Sequence, residues 1–334
     1  MSDWRPLYGV TVVDVSQQLP GPFATLLLTA LGAKVVKVES PAGDASRLID
    51  PPMFARLCAG KEVVVLDLKD TADRERLHEL VKQADVFVEG FRPGVVERLG
   101  ADWETLSAIN PRLVYCSLSG AGPTGPLATV PGHDLNFLAL AAGLPNGLPD
   151  GEALIRIPWV DLAAGTNAAL TITAALLDRE RTGQGKRLEV AMLDAAAIWA
   201  ATKQPRPGTE GTYGVFATAD GERVASACLE EAMWDGLCDA FGWADWAADP
   251  ELRDHGRRRL RGREIEGRLR RNIEALTAAQ VTALAERYDL AITAVVDSSD
   301  VLEQPQIVER DLFPDAAHWR PLGRLGRSLR IELA

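Results

Sequence analysis

β-Branched apolar runs alternate with stretches of helical period along the first third of the chain. "GVTVVDV" (9–15), "KVVKVES" (34–40), "EVVVLDL" (62–68), "DVFVEGF" (85–91) and "RLVYCSLSG" (112–120) predict five strands. Between them, "PGPFATLLLTALGA" (20–33) predicts a helix, with Pro20 and Pro22 near its entry and Gly32 near its exit. "TADRERLHELVKQA" (71–84) predicts a charged surface helix. Strands that recur with helices between them imply a largely parallel sheet covered on both faces, an α/β architecture. Ligands of such sheets sit beyond the carboxyl ends of the strands. The first strand runs into "SQQLPGP" rather than GxGxxG, and no GxxxxGK[ST] loop follows anywhere. A nicotinamide or P-loop nucleotide site in the usual form is therefore unsupported.

The pattern then changes. "VDLAAGTNAALTITAALLDRERTG" (160–183) predicts a long helix, apolar for most of its length, that stops at Gly183. "KRLEVAMLDAAAIWAA" (186–201) predicts a strand and a helix, and "KQPRPGTEG" (203–211) a polar linker. Beyond it come a short strand pair in "GVFATADGERVASA" (214–227), helices rich in arginine and glutamate, and one more strand and helix in residues 289–313. The linker predicts a domain boundary near residue 203. The basic run 253–271 is expected to be a solvated helical surface rather than a nucleic-acid arm.

Composition narrows the function. The chain has 334 residues and a formal net charge of −11, which argues against nonspecific attraction to nucleic acid or anionic lipid. No apolar run is expected to span a membrane, and "MSDWRPLYG" lacks the basic and apolar regions of a secretory leader. Cys58, Cys116, Cys228 and Cys238 form no CxxC pair, which fits a reducing cytoplasm better than a disulfide framework or a zinc site.

Only four histidines occur, and His133 sits in "PGHDLNF" at the predicted start of a helix. Taken alone, a histidine there is more often structural than catalytic. Asp161, in "VDLAAG", is likewise what an ordinary helix N-cap looks like.

The order of motifs changes that balance. "LYGVTVVDVSQQLPGPFATLLLTALGAKVVKVES", "GKEVVVLDLK", "EGFRPGVVERLG", "PGHDLNFLALAAG", "VDLAAGTNAAL" and "RTGQGKRLEVAMLDA" resemble the family III CoA-transferase superfamily, also called CaiB/BaiF. The resemblance covers most of residues 5–200 and continues more weakly to "DVLEQPQIVERDLF". It implies a Rossmann-like, CoA-binding large domain over 1–200, to which about 305–334 returns, a smaller α+β domain over 201–304, acyl-CoA substrates and an interlocked homodimer. No metal or organic cofactor is implied beyond the CoA of the substrate. The superfamily holds two chemistries, CoA transfer through a covalent aspartate and 2-methylacyl-CoA racemisation through a His/Asp pair. Asp161 aligns with the aspartate of both. "GHDLNF" resembles the racemase form of its motif, which makes His133 the second acid/base. "ACLEEAMW" resembles a segment whose glutamate partners that histidine, with Glu230 the chosen match and Glu231 the fallback.

The resemblance further implies CoA contacts at Leu66, Asp67, Leu68 and Lys69, at Gly90, Phe91 and Arg92, at Arg98, and at Gly132, Asp134, Leu135, Asn136 and Phe137. Two positions depart from the family. Ser40 follows Glu39 where an arginine is common, and Gly60-Lys61-Glu62 replaces an Asn-Lys-Arg-like segment. Lys61 or Arg47 is expected to compensate. The main expectation is thus inversion of the α-carbon of a 2-methylacyl-CoA. The alternatives are a family III CoA-transferase, with His133 a bystander, and a non-catalytic CoA-binding partner subunit.

Overall fold

The computed structural model describes residues 4–144, 157–202, 206–315, 317–323 and 326–331. The start of the expected linker, 203–205, lies outside the described residues. The chain divides into two compact units, Met1–Lys203 with Pro305–Ala334, and Gln204–Gln304.

In the first unit β1 (Thr11–Asp14), β2 (Lys34–Glu39), β3 (Glu62–Val65), β4 (Val86–Glu89), β5 (Val114–Ser119) and β6 (Lys186–Ala191) form one sheet. Its order is β3-β2-β1-β4-β5-β6 and every pair is parallel. The order reverses between β1 and β4, which opens a crevice at their carboxyl ends. Both faces of the central strands are buried, while the edge strands β3 and β6 are largely exposed. Val12, Val35, Val86, Val88 and Val114 pack under the Trp159–Thr182 helix, and Val13, Val38, Phe87 and Tyr115 pack with Leu77, Val81 and Leu106 on the opposite face.

The Trp159–Thr182 helix buries a row of small residues, Ala163, Ala164, Gly165 and Ala168. A Cβ at Gly165 would lie 2.6 Å from the Pro20 carbonyl oxygen and 2.9 Å from the Phe23 ring. Glycine there lets this helix and the Pro20–Ala30 helix touch backbone to side chain. By length and composition the long helix could cross a membrane, which corrects the expectation that no apolar run is long enough. Half of its most apolar window is buried in this unit, so its apolarity serves core packing.

In the second unit β7 (Tyr213–Ala217), β8 (Arg223–Ala227) and β9 (Ile292–Ala294) form an antiparallel sheet. It packs with a core containing Trp234, Trp243, Trp246, Leu237 and Leu269. The basic run is more committed than a solvated face. Arg258 is buried, donates to both Glu231 oxygens at 2.7 and 2.8 Å, and lies 5.1 Å from the Trp234 ring. Arg268 pairs with Asp245 and lies 4.3 Å from the Trp246 ring. Back in the first unit, β10 (His318–Trp319) and β11 (Leu329–Arg330) pair antiparallel, and Leu329 packs beside Leu19 and Leu26.

Candidate active site

Two cavities open over the carboxyl ends of the sheet, both walled by the first unit alone. One, of about 300 Å³, is lined by residues 15–18, 20–21, 90–93, 118–121, 128 and 130–133, with Phe137, Asp161 and Met192. The other, of about 460 Å³, is lined by residues 38–40, 66–69 and 98–99, with Val95 and, shared with the first, Val15, Gln17 and Phe91. The two therefore adjoin at these three side chains.

The first cavity is lined by both His133 and Asp161. The Asp134–Leu140 helix begins just after His133, whose N–H donates to Asn136 Oδ1 at 3.0 Å. Phe137 is buried beneath it. A Cβ on Gly120 or Gly132 would lie 2.5 or 2.8 Å from the tip of the Phe137 ring, so both glycines are needed for the ring to seat. Asp161 occupies the first turn of the Trp159–Thr182 helix but does not cap it. Asp134 does that from the neighbouring helix, its Oδ1 accepting from Val160 N at 2.6 Å and Asp161 N at 3.2 Å. The Asp161 carboxyl is thereby left for the cavity. Burial, reinforced by the like charge of Asp134, pushes its pKa from 3.8 up to about 7.

The sequence-derived contacts separate by cavity. Gly90, Phe91, Arg92, Gly132, His133, Phe137 and Asp161 line the first, and Leu66, Asp67, Leu68, Lys69, Phe91 and Arg98 the second. Leu135 and Asn136 line neither, and Asp134 acts as the cap just described. Among the described residues Arg92 and Arg98 form no ion pair, which leaves both guanidinium groups for an anionic ligand. Glu89 supports this stretch from β4, accepting from Phe91 N at 2.8 Å, and burial raises its carboxyl pKa.

Lys61 does not compensate for Ser40. Its ammonium is fully buried and donates to Pro22 O and Thr25 Oγ1, both at 2.7 Å, near Asp14. Arg47 is held by Glu39, donating to its two oxygens at 2.9 and 3.1 Å. Glu230 precedes the Glu231–Phe241 helix of the second unit, and the fallback Glu231 is bound to Arg258. Of the other histidines, His78 bonds Gly100 O, His255 bonds Glu210 and His318 bonds Asp315. Sequence reasoning passed over Ser16, Gln17, Gln18, Ser119 and Met192, which also line the first cavity. The signal available for the first three was their place directly after β1. Among the described residues no three His, Cys, Asp or Glu side chains gather as metal ligands would.

Comparison with known proteins gives this arrangement a context. The model of CoA-transferase family III matches residues 7–326. The acetyl-CoA:oxalate CoA-transferase of Acetobacter aceti is 34% identical over 92% of this chain and 85% of that protein. The alpha-methylacyl-CoA racemase of Homo sapiens is 35% identical over 71% of this chain and 65% of that protein. Among solved structures, Rv3272 of Mycobacterium tuberculosis superposes with a TM-score of 0.80 at 32% identity, covering 92% of this chain and 89% of the other. A CaiB/BaiF family protein of Brucella suis superposes at 0.76 with 29% identity, covering 92% and 88%.

Proposed function

The chain belongs to CoA-transferase family III, and from that premise we propose that it moves the α-proton of an acyl-CoA, inverting a 2-methyl-branched α-carbon. The observation that carries this reading is a carboxyl of pKa about 7, Asp161, lining the same cavity as His133. A raised carboxyl is part acid and part base near neutral pH, which is what a two-way proton exchange needs. A covalent nucleophile would instead be favoured by a fully ionised carboxylate.

In one direction neutral His133 takes the α-proton and the C–H electron pair moves into the thioester as an enolate. Protonated Asp161 then returns a proton to the other face and the carbonyl re-forms. In the reverse direction the two groups exchange roles. The amides of Val160 and Asp161 already serve Asp134 and so are not available to the enolate oxygen.

The adjoining cavity suits the nucleotide end of CoA. Arg98 stands at its wall for a phosphate, and the pantetheine arm would cross beside Gln17 and Phe91. We also propose a homodimer, because Leu170, Leu177, Ile198 and Trp199 leave large apolar side chains exposed on the Trp159–Thr182 and Met192–Ala201 helices.

A second reading is CoA transfer through Asp161, favoured by the similarity to an acetyl-CoA:oxalate CoA-transferase over 92% of this chain. An α-deuterium exchange assay without an acceptor acid separates the two. Exchange dependent on both Asp161 and His133 supports racemisation. CoA transfer to an added acid, dependent on Asp161 alone, supports the second reading.

A further inference from the structure

The most heavily buried charges in the first unit lie outside the residues assigned to catalysis. Asp14 at the end of β1 and Lys37 on β2 are paired in the sheet register, and neither is exposed. Lys37 Nζ meets Asp44 Oδ2 at 3.1 Å, with both side chains at 0% exposure. Burial alone would push the Lys37 pKa down, but Asp14 and Asp44 outweigh it and raise it. Burial likewise opposes ionisation of Asp44, and Lys37 and the Ser46 bonds overcome it. The pair is therefore charged. Replacing such a buried pair by apolar side chains is often neutral or stabilising, so stability alone does not account for it.

What the pair holds is specific. Lys37 Nζ donates to Ser16 O at 2.8 Å, and Asp44 accepts from Gln18 N at 3.1 and 3.2 Å. The two contacts grip the backbone on either side of Gln17. Gln18 has a φ of +64°, the left-handed region that a non-glycine residue occupies at a cost unless its surroundings impose it. The loop is anchored again at Ser16, whose N and Oγ both donate to Asp14 Oδ1. Gln17 itself is exposed in the crevice and lines both cavities at their junction.

We propose that Lys37 and Asp44 are positioning residues, a buried clamp that fixes the Ser16–Gln17–Gln18 backbone so that the Gln17 amide faces the thioester end of bound acyl-CoA. The proposal rests on the acyl-CoA reading above for its ligand. The left-handed turn at Gln18 aims the side chain before it into the crevice, and the ion pair keeps the turn from relaxing.

The test uses the full-length chain with Lys37→Met/Asp44→Asn. This double change removes both charges together, and the introduced side-chain amide keeps one oxygen as an acceptor. Gln17→Ala serves as comparator. The double variant is expected to fold and to bind free CoA within about threefold of wild type, since Arg98 and the 66–69 wall of the second cavity carry neither change. Amide exchange of Gln18 is expected to accelerate at least about tenfold while β1 stays protected. kcat should fall at least about tenfold with KM moving less than about threefold. Adding Gln17→Ala should cost little more, because both changes remove one function. A folded double variant with wild-type kcat overturns the proposal, as does full additivity with Gln17→Ala. Unchanged Gln18 exchange also overturns it. If the wild type turns over no acyl-CoA by either chemistry, the functional reading fails separately. The clamp is then judged by whether the double variant loses the wild-type preference for binding an acyl-CoA over free CoA; an unchanged preference overturns it.

Discussion

Replacing Asp161 by asparagine should make the protein more stable, and increasingly so as the pH rises. The folded carboxyl holds its proton up to about pH 7, whereas in the unfolded chain it titrates near 3.8. Between these values the native state binds more protons than the unfolded state, so this group's contribution to stability falls as pH rises and levels off above the folded value. At about 1.4 kcal/mol for each pH unit between 3.8 and about 7, full ionisation costs the folded protein at most about 4 kcal/mol. An asparagine side chain fits the same space, carries no charge to desolvate and is not repelled by Asp134. Wild type and Asp161→Asn should therefore melt together near pH 4. Near pH 8 the variant's large unit should melt higher by on the order of 10 °C. Asp14 and Asp44, whose carboxyl pKa values are lowered, impose the opposite slope in acid, but they are common to both proteins and cancel in the difference. The assay is a series of thermal melts from acid to mildly alkaline pH, followed at the first unit. A difference that does not grow with pH, or a variant less stable than wild type near pH 8, would refute the argument that burial and Asp134 raise this carboxyl.

Other consequences are more local. Gly165→Val places its Cβ 2.6 Å from the Pro20 carbonyl oxygen, so it should destabilise the first unit by roughly 1–3 kcal/mol or more, read from denaturant midpoints. Gly132→Ala should push Phe137 from its seat and lower acyl-CoA turnover while leaving CoA affinity within about threefold, measured by titration and initial rates. Arg98→Ala should weaken free CoA binding by about tenfold, with a smaller effect at high salt where the charge is screened. Ile198→Asp puts a charge on a side chain that is 64% exposed, and should shift a dimer toward monomer in light scattering without lowering the monomer's helix content.

The parallel sheet was legible because its central strands are buried on both faces and so read as β-branched runs, as in "VVKV" of β2 and "VFVE" of β4. Asp161 and His133 were legible only through the order of motifs. Each alone is an ordinary helix-start residue, and it takes Asp134 reaching across to the Val160 and Asp161 amides to free Asp161 from capping. Lys61 is misread from sequence because one-dimensional proximity to a departing motif says nothing of direction; its side chain turns inward to Asp14 rather than outward to a phosphate. Gln17 and Gln18 were passed over because their importance lies in backbone geometry, a left-handed turn held by a carboxylate more than twenty residues away. The basic run similarly hid its pairing, since Arg258 finds Glu231 only once the second unit folds.

The central claim is that Asp161 and His133 exchange a proton with the α-carbon of an acyl-CoA. The most direct measurement is α-deuterium incorporation in D2O from a single-enantiomer 2-methylacyl-CoA, with no acceptor acid, for wild type, His133→Ala and Asp161→Ala. The account predicts deuterium at the α-carbon with loss of chirality in the wild type, slowed at least about a hundredfold in each variant. Wild-type protein that exchanges no α-proton from any of several acyl chains, yet passes CoA to a free acid through Asp161 with His133→Ala fully active, would contradict it.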